Sequence, residues 1–166
     1  NIVQISTGDM LRDAVEKKTD IGMEVKLIMD KGELVSDELI MSLIEHRISE
    51  KDCFNGFIFD GFPRTLSQAI SLDGLIKSKG LLIDHVIQID VDEALLLDRI
   101  KKRANEDENS RDDDKTEILS NRIVVYNKQT LPVIKHYEEL NILKKVNGML
   151  SIEGVTNEIL KVLESD

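Results

Sequence analysis

Cysteine occurs once in the 166 residues, at Cys53, so the chain has no intramolecular disulfide and no Cys-rich zinc site. A reducing, cytoplasmic setting fits that usage. No apolar run approaches the ~20 residues that a membrane-spanning helix needs. No signal-peptide pattern opens the chain, and it starts at Asn1 rather than Met, as expected of a sequence entered part-way through. Positive charge is also scarce: 22 Lys and Arg against 32 Asp and Glu leave a net charge of −10. That balance makes double-stranded DNA, RNA and anionic membranes poor electrostatic partners. There is no nucleophile-elbow serine, and Cys53 has no sequence neighbour to activate it, so covalent catalysis is set aside. His46, His85 and His136 have no useful mutual spacing and are expected on helix surfaces or sheet edges. What remains, 41% hydrophobic and 33% charged residues, is a globular composition with enough chain for one domain and a core.

The patterning alternates short strands with helices, which predicts an α/β fold with a parallel sheet. Ile2 to Ile5 is expected as a strand, with Ser6 or Thr7 capping a helix through Met10, Leu11, Ala14 and Val15. Ile21, Val25, Ile28 and Met29 mark a second helix ended by Gly32, and Ser36-Asp37-Glu38 opens a third along Leu39, Ile40, Leu43, Ile44 and Ile48. Three helices before the first clear strand imply an inserted helical piece. Phe57-Ile58-Phe59 then runs without polar alternation into Asp60, predicting a strand buried on both faces. Further on, Leu66 to Lys79 reads as a helix ended by Gly80, His85 to Asp90 as a strand, and Asp92 to Ile100 as a helix. Ala104 to Lys115 is a polar excursion. Thr116 to Leu140 is helical with a kink at Pro132, Ile142 to Val146 is a last strand, and Val155, Ile159, Val162 and Leu163 line a final helix.

Asp60 stands at the carboxyl end of its strand, where open α/β sheets place ligands. Gly61 allows close approach to the backbone, Pro63 stiffens the exit, and Arg64 offers a fork for a phosphate. An acid suited to a metal and an arginine suited to a phosphate, four residues apart, point to nucleotide chemistry; the plainer alternative is an acid that caps the turn or pairs with Arg64. Arginine is rationed: seven of the 22 basic residues, namely Arg12, Arg47, Arg64, Arg99, Arg103, Arg111 and Arg122. Six of them, all but Arg47, stand near strand ends, helix ends or the polar excursion. Convergence would make a phosphate clamp and dispersal would make ordinary surface charge; spacing leaves both open. The acidic run from Asn105 has Ser110 where a calcium loop needs Gly and Thr116 where it needs Glu, so calcium is rejected. It is a solvated loop or a lid.

Ile5-Ser6-Thr7-Gly8-Asp9-Met10-Leu11-Arg12, Leu34-Val35-Ser36-Asp37-Glu38, Asp60-Gly61-Phe62-Pro63-Arg64-Thr65 with Gln68, and Arg111-Asp112-Asp113-Asp114 together resemble the adenylate kinase family. Asn121-Arg122, Tyr126, Thr130 and Pro132 extend the likeness over nearly the whole chain. The resemblance implies a P-loop NTPase-like parallel sheet flanked by helices, with a helical NMP-binding insert at about 8–49, a short lid at about 104–117, and the core in 1–7, 50–103 and 118–166. It implies reversible phosphoryl transfer from MgATP to AMP, giving two ADP. Thr7, Arg12, Leu34, Val35, Gly61, Arg64 and Gln68 would bind AMP, with Gln68 reading the adenine. Arg99, Arg103, Arg111, Arg122 and Leu150 would belong to the ATP site. Arg64, Arg99, Arg111, Arg122, Asp113 and Asp114 would serve the transfer itself, and Asp60 would stand near Mg²⁺, through water. The short lid lacks the cysteines of zinc-binding lids, so no zinc is expected. The partners implied are ATP, AMP and ADP, with no nucleic acid or membrane, and the enzyme would be a cytoplasmic monomer.

Two departures qualify the likeness. The family's first strand and Gly-rich phosphate loop are not in the sequence, which begins just before the family's second strand. The chain is therefore expected to be a portion of a longer protein, to bind ATP poorly as it stands, and to have the strand ending at Asp60 bordering a slot. Asp112 also adds an acid to the Arg-x-Asp-Asp motif. Relatives acting on UMP or CMP tend to carry Ala and Asn where Thr7 and Thr65 stand, which favours AMP; a UMP/CMP-type kinase and a non-catalytic AMP-binding fragment are the alternatives.

Overall fold

The computed structural model describes residues 2–18, 20–92 and 116–164. Strand β1 (Val3–Ser6) leads directly into helix α1 (Thr7–Glu16), followed by α2 (Asp20–Met29) and α3 (Asp37–Ile48). A short 3₁₀ turn at Lys51–Cys53 precedes β2 (Phe57–Asp60) and α4 (Leu66–Ser78). Then come β3 (Val86–Asp90), α5 (Thr116–Val125), α6 (Leu131–Glu139), β4 (Leu143–Asn147) and α7 (Ile152–Glu164).

Three helices begin on a hydroxyl side chain that satisfies an otherwise unpaired first-turn amide. The Ser6 side chain accepts from the Asp9 amide at 3.2 Å, Ser36 from Leu39 at 3.4 Å and Thr65 from Gln68 at 3.1 Å. At the other end of α4, the Gly80 and Leu81 amides close back onto Lys77 and Ile76, with Gly80 at φ +70.

All strand pairs seen are parallel. β1 pairs with β2 in the register Ser6↔Asp60, and β3 pairs with β4 from Val86↔Leu143 to Asp90↔Asn147. β2 and β3 are not hydrogen-bonded neighbours. The expectation of a β2 buried on both faces is therefore corrected: its residues alternate, with Phe57 and Phe59 turned toward the core while Ile58 is 49% exposed and Asp60 is exposed. Among the described residues only β1 pairs with β2, along one edge, and Ile58 looks into the cavity described below.

The main core joins β1, the first three helices and α4 through Ile5, Leu11, Val25, Ile40, Ile44, Ile48, Phe62, Leu72 and Ile76. A second, smaller cluster packs Ala69 of α4 against Val133 and Tyr137 of α6, tying both to Val86 and Leu143. Gly22 makes the tight crossing of α1 and α2 possible, since a Cβ there would lie 2.0 Å from the Ala14 carbonyl oxygen. The helix expected over 116–140 is interrupted at a π-helical turn, Tyr126–Thr130. Pro132 cannot donate to the Lys128 carbonyl, so the chain widens one turn earlier and Pro132 falls in the first turn of α6, where a missing amide costs least. His136 departs from the surface expectation: it lies 2.7 Å from the Asp73 carboxylate, joining α6 to α4. The final helix α7 has no fully buried residue, and its Ile159 and Leu163 face the same cavity as Ile58.

Candidate active site

A cavity of about 1620 Å³ lies between the β1–β2 and β3–β4 pairs. Nine of the residues singled out from sequence line it: Thr7, Arg12, Leu34, Val35, Asp60, Gly61, Arg64, Gln68 and Arg122. They come from β1–α1, the α2–α3 connection, the β2–α4 turn and α5. The structure thus answers the question that spacing left open, for the arginines it describes: Arg12, Arg64 and Arg122 share one cavity, and Arg47 does not. Arg47 instead forks onto Asp52 at 2.8 Å through both terminal nitrogens, and that contact holds the Asp52 carboxyl below its usual range. Arg99, Arg103, Arg111, Asp113 and Asp114 lie outside the described residues. Leu150 sits in the turn after β4, 37% exposed, and does not line the cavity.

Parallel register explains why Thr7 and Gly61 meet. Ser6 opposite Asp60 brings the two strand exits side by side, and the Thr7 hydroxyl donates to the Gly61 carbonyl at 3.4 Å. Gly61 adopts φ +66, and a Cβ there would fall 2.7 Å from an Arg64 guanidinium nitrogen, so the tight turn and the folded-back arginine both require glycine. Arg64 Nε donates to the Gly61 carbonyl at 2.6 Å, which aims the guanidinium along the turn. The Phe62–Pro63 bond is cis. Thr130, from the π-helical turn, donates to the Arg64 carbonyl at 2.8 Å and fastens the turn to the α5–α6 segment. Arg12 pairs with Asp9 one turn back on α1. Asp60 accepts from Gln4 Nε2 at 2.8 Å across the β1–β2 pair. Asn121, beside Arg122 on α5, donates to the Lys31 carbonyl at 2.6 Å, so the α2–α3 turn rests against the helix that carries Arg122.

Sequence reasoning quoted Asp37 within a motif but gave it no task. In the structure it is the acceptor for both Thr65 and Gln68. The available signal was an acid immediately after a Ser cap, which also reads as an ordinary first-turn acid. Among the described residues no group of three His, Cys, Asp or Glu side chains could hold a metal; Asp60 at the end of β2 and Asp90 at the end of β3 are single carboxylates lining the cavity. That donor set suits a hard cation that keeps most of its water or phosphate ligands, as Mg²⁺ does.

Parallel strands with arginines, an amide and a carboxylate gathered at their carboxyl ends define a protein of the open-sheet, phosphate-handling α/β class. The sequence model of adenylate kinase matches residues 1–142. An adenylate kinase of Rhizobium meliloti (strain 1021) is 44% identical over 98% of this chain and 86% of its own length. One from Azorhizobium caulinodans is 46% identical over 99% and 87%, and one from Leptospira biflexa serovar Patoc 45% over 97% and 86%. The chain belongs to the adenylate kinase family of phosphotransferases. Among the described residues no helix is long and apolar enough to cross a membrane.

Proposed function

We propose that this chain carries the AMP half-site of an enzyme that moves a phosphoryl group reversibly from MgATP to AMP, giving two ADP. The observation carrying this reading is the convergence of Thr7, Arg12, Leu34, Val35, Gly61, Arg64 and Gln68, which span sixty-two positions of sequence, on one cavity. Arg12 and Arg64 supply guanidinium forks for the AMP phosphate, the Leu34–Val35 backbone and Thr7 border the nucleoside, and Gln68 faces the base. Arg122 stands on the donor side with Arg99, Arg103 and Arg111, where cationic charge offsets the charge spread over the transferring group. Asp113 and Asp114 belong to a lid at about 104–117, Leu150 to the ATP site, and residues 8–49 to the AMP-binding insert. Asp60 would hold Mg²⁺ through water, and the ion supplies neutralisation of the phosphate oxygens. Phosphoryl transfer asks little covalent work of side chains; these residues bind, align acceptor and donor oxygens, and keep water out. A monomer in the cytoplasm accords with lone, buried Cys53.

Calorimetry with AMP, UMP and CMP on this chain tests the reading. AMP is expected to bind at least tenfold more tightly than either pyrimidine nucleotide; equal or tighter binding of UMP or CMP would overturn it. Phosphoryl transfer is tested by following ADP formation from ATP and AMP.

A further inference from the structure

Gln68 is 3% exposed, and its side-chain amide is held at both ends. Its Oε1 accepts from the Arg64 backbone amide at 2.8 Å, and its Nε2 donates to Asp37 Oδ1 at 2.8 Å. Asp37 is the first residue of α3 and Gln68 lies in the first turn of α4, thirty-one positions later. The Thr65 hydroxyl holds the same carboxylate, at 3.1 and 3.0 Å from its two oxygens. A backbone N–H only donates and a carboxylate only accepts. Turning the Gln68 amide over would set its NH₂ against the Arg64 N–H and its carbonyl against Asp37, two mismatches in a nearly closed site.

We propose that Asp37 is a specificity-determining positioning residue: by locking the Gln68 amide in one orientation it makes the site accept a 6-amino purine and reject a 6-oxo purine. The proposal rests on the reading of Gln68 as the residue facing the base. Each anchor consumes one lone pair of Oε1 and one hydrogen of Nε2. One acceptor position and one N–H remain, in a fixed order, on a side chain that lines the cavity. Adenine presents a donor at its 6-amino group and an acceptor at N1. Hypoxanthine, of nearly the same shape, presents an acceptor at O6 and a donor at N1. A glutamine free to turn over would serve both bases; a locked one serves only one. Asp37 touches neither phosphate nor base in this scheme and acts through Gln68 alone.

The test compares dissociation constants for AMP and IMP, by calorimetry, in the wild-type chain and in Asp37→Asn, Asp37→Ser and Gln68→Ala. Wild type is expected to prefer AMP. An Asn amide or a Ser hydroxyl can donate as well as accept, so either change removes one of the two mismatches and leaves a first-turn residue that tolerates a helix start. The AMP-to-IMP preference should fall about tenfold in both, chiefly through tighter IMP binding. The ratio is the informative readout, because a purely structural loss lowers the binding-competent fraction for both nucleotides alike. Gln68→Ala should weaken AMP and abolish most of the preference. If Gln68→Ala does so while both Asp37 variants keep the wild-type ratio, the lock is wrong and the role of Gln68 stands. If Gln68→Ala binds AMP and IMP as wild type does, the base-facing role of Gln68 is wrong and the lock falls with it.

Discussion

Replacing Arg64 with Ala should separate phosphate recognition from stability. The guanidinium lines the cavity, and its Nε donates to the Gly61 carbonyl at 2.6 Å. Its backbone is tied down separately: its N–H donates to Gln68 and its carbonyl accepts from Thr130, and both bonds survive truncation at Cβ. Two charge-assisted bonds to a phosphate, at about 1.5–2 kcal/mol each, amount to about 3–4 kcal/mol. AMP affinity should therefore fall on the order of 10²-fold or more. Losing the contact to Gly61 in a partly exposed turn should cost about 1 kcal/mol or less of folding stability. Calorimetry with AMP and with adenosine, alongside thermal melting, checks each part. Adenosine has no phosphate, so its affinity should stay within a few-fold of wild type. An unchanged affinity for AMP would refute the phosphate role. An equal loss for adenosine would show instead that Arg64 acts by holding the base-reading end of the turn.

Two further outcomes concern the scaffold. Ile44 is fully buried in the main core, and Ile44→Ala should cost about 2–5 kcal/mol, read as a lowered denaturant midpoint at unchanged slope; a cost below about 1 kcal/mol would mean the helical insert is packed differently. Burial, and then the adjacent Asp73 carboxylate, push the Tyr137 phenol well above its ordinary value near 10. A neutral phenol is favoured in the fold, so its contribution is complete below about pH 10 and is lost as pH rises beyond that. Melting temperature should then fall more steeply between pH 9 and 11 in wild type than in Tyr137→Phe, which gives up the 3.4 Å bond to Asp73 but has no proton to lose; parallel curves would refute it.

Much of the fold was legible because its signals are local. Ser6 and Ser36, both read from sequence at helix openings, cap α1 and α3, and Thr65 caps α4 in the same way. The Asp60–Arg64 turn carries its own constraints, a glycine with positive φ and a proline, within five residues. Burial was less legible where it depends on neighbours far along the chain. Phe57-Ile58-Phe59 reads as doubly buried, yet Ile58 is half exposed because one face of β2 meets the cavity. His136 reads as a surface residue on its own helix and becomes half of a bridge only when α4 supplies Asp73 from sixty-three positions away.

The same division holds for the site. The sequence alone determined which functional groups are present, guanidinium forks, a carboxylate and a carboxamide, and capping and turn preferences that act over three or four residues set Asp60, Gly61 and Arg64 at a strand exit. Only the tertiary structure decided that Arg12, Arg64 and Arg122 face one cavity, that Arg47 serves a salt bridge with Asp52 instead, and that Asp37 holds Gln68. Hydrogen-bond direction is the physical reason. A donor or acceptor written in the sequence has no orientation until folding brings it a partner, and the partners of Gln68 are a backbone amide four residues before it and a carboxylate on another helix.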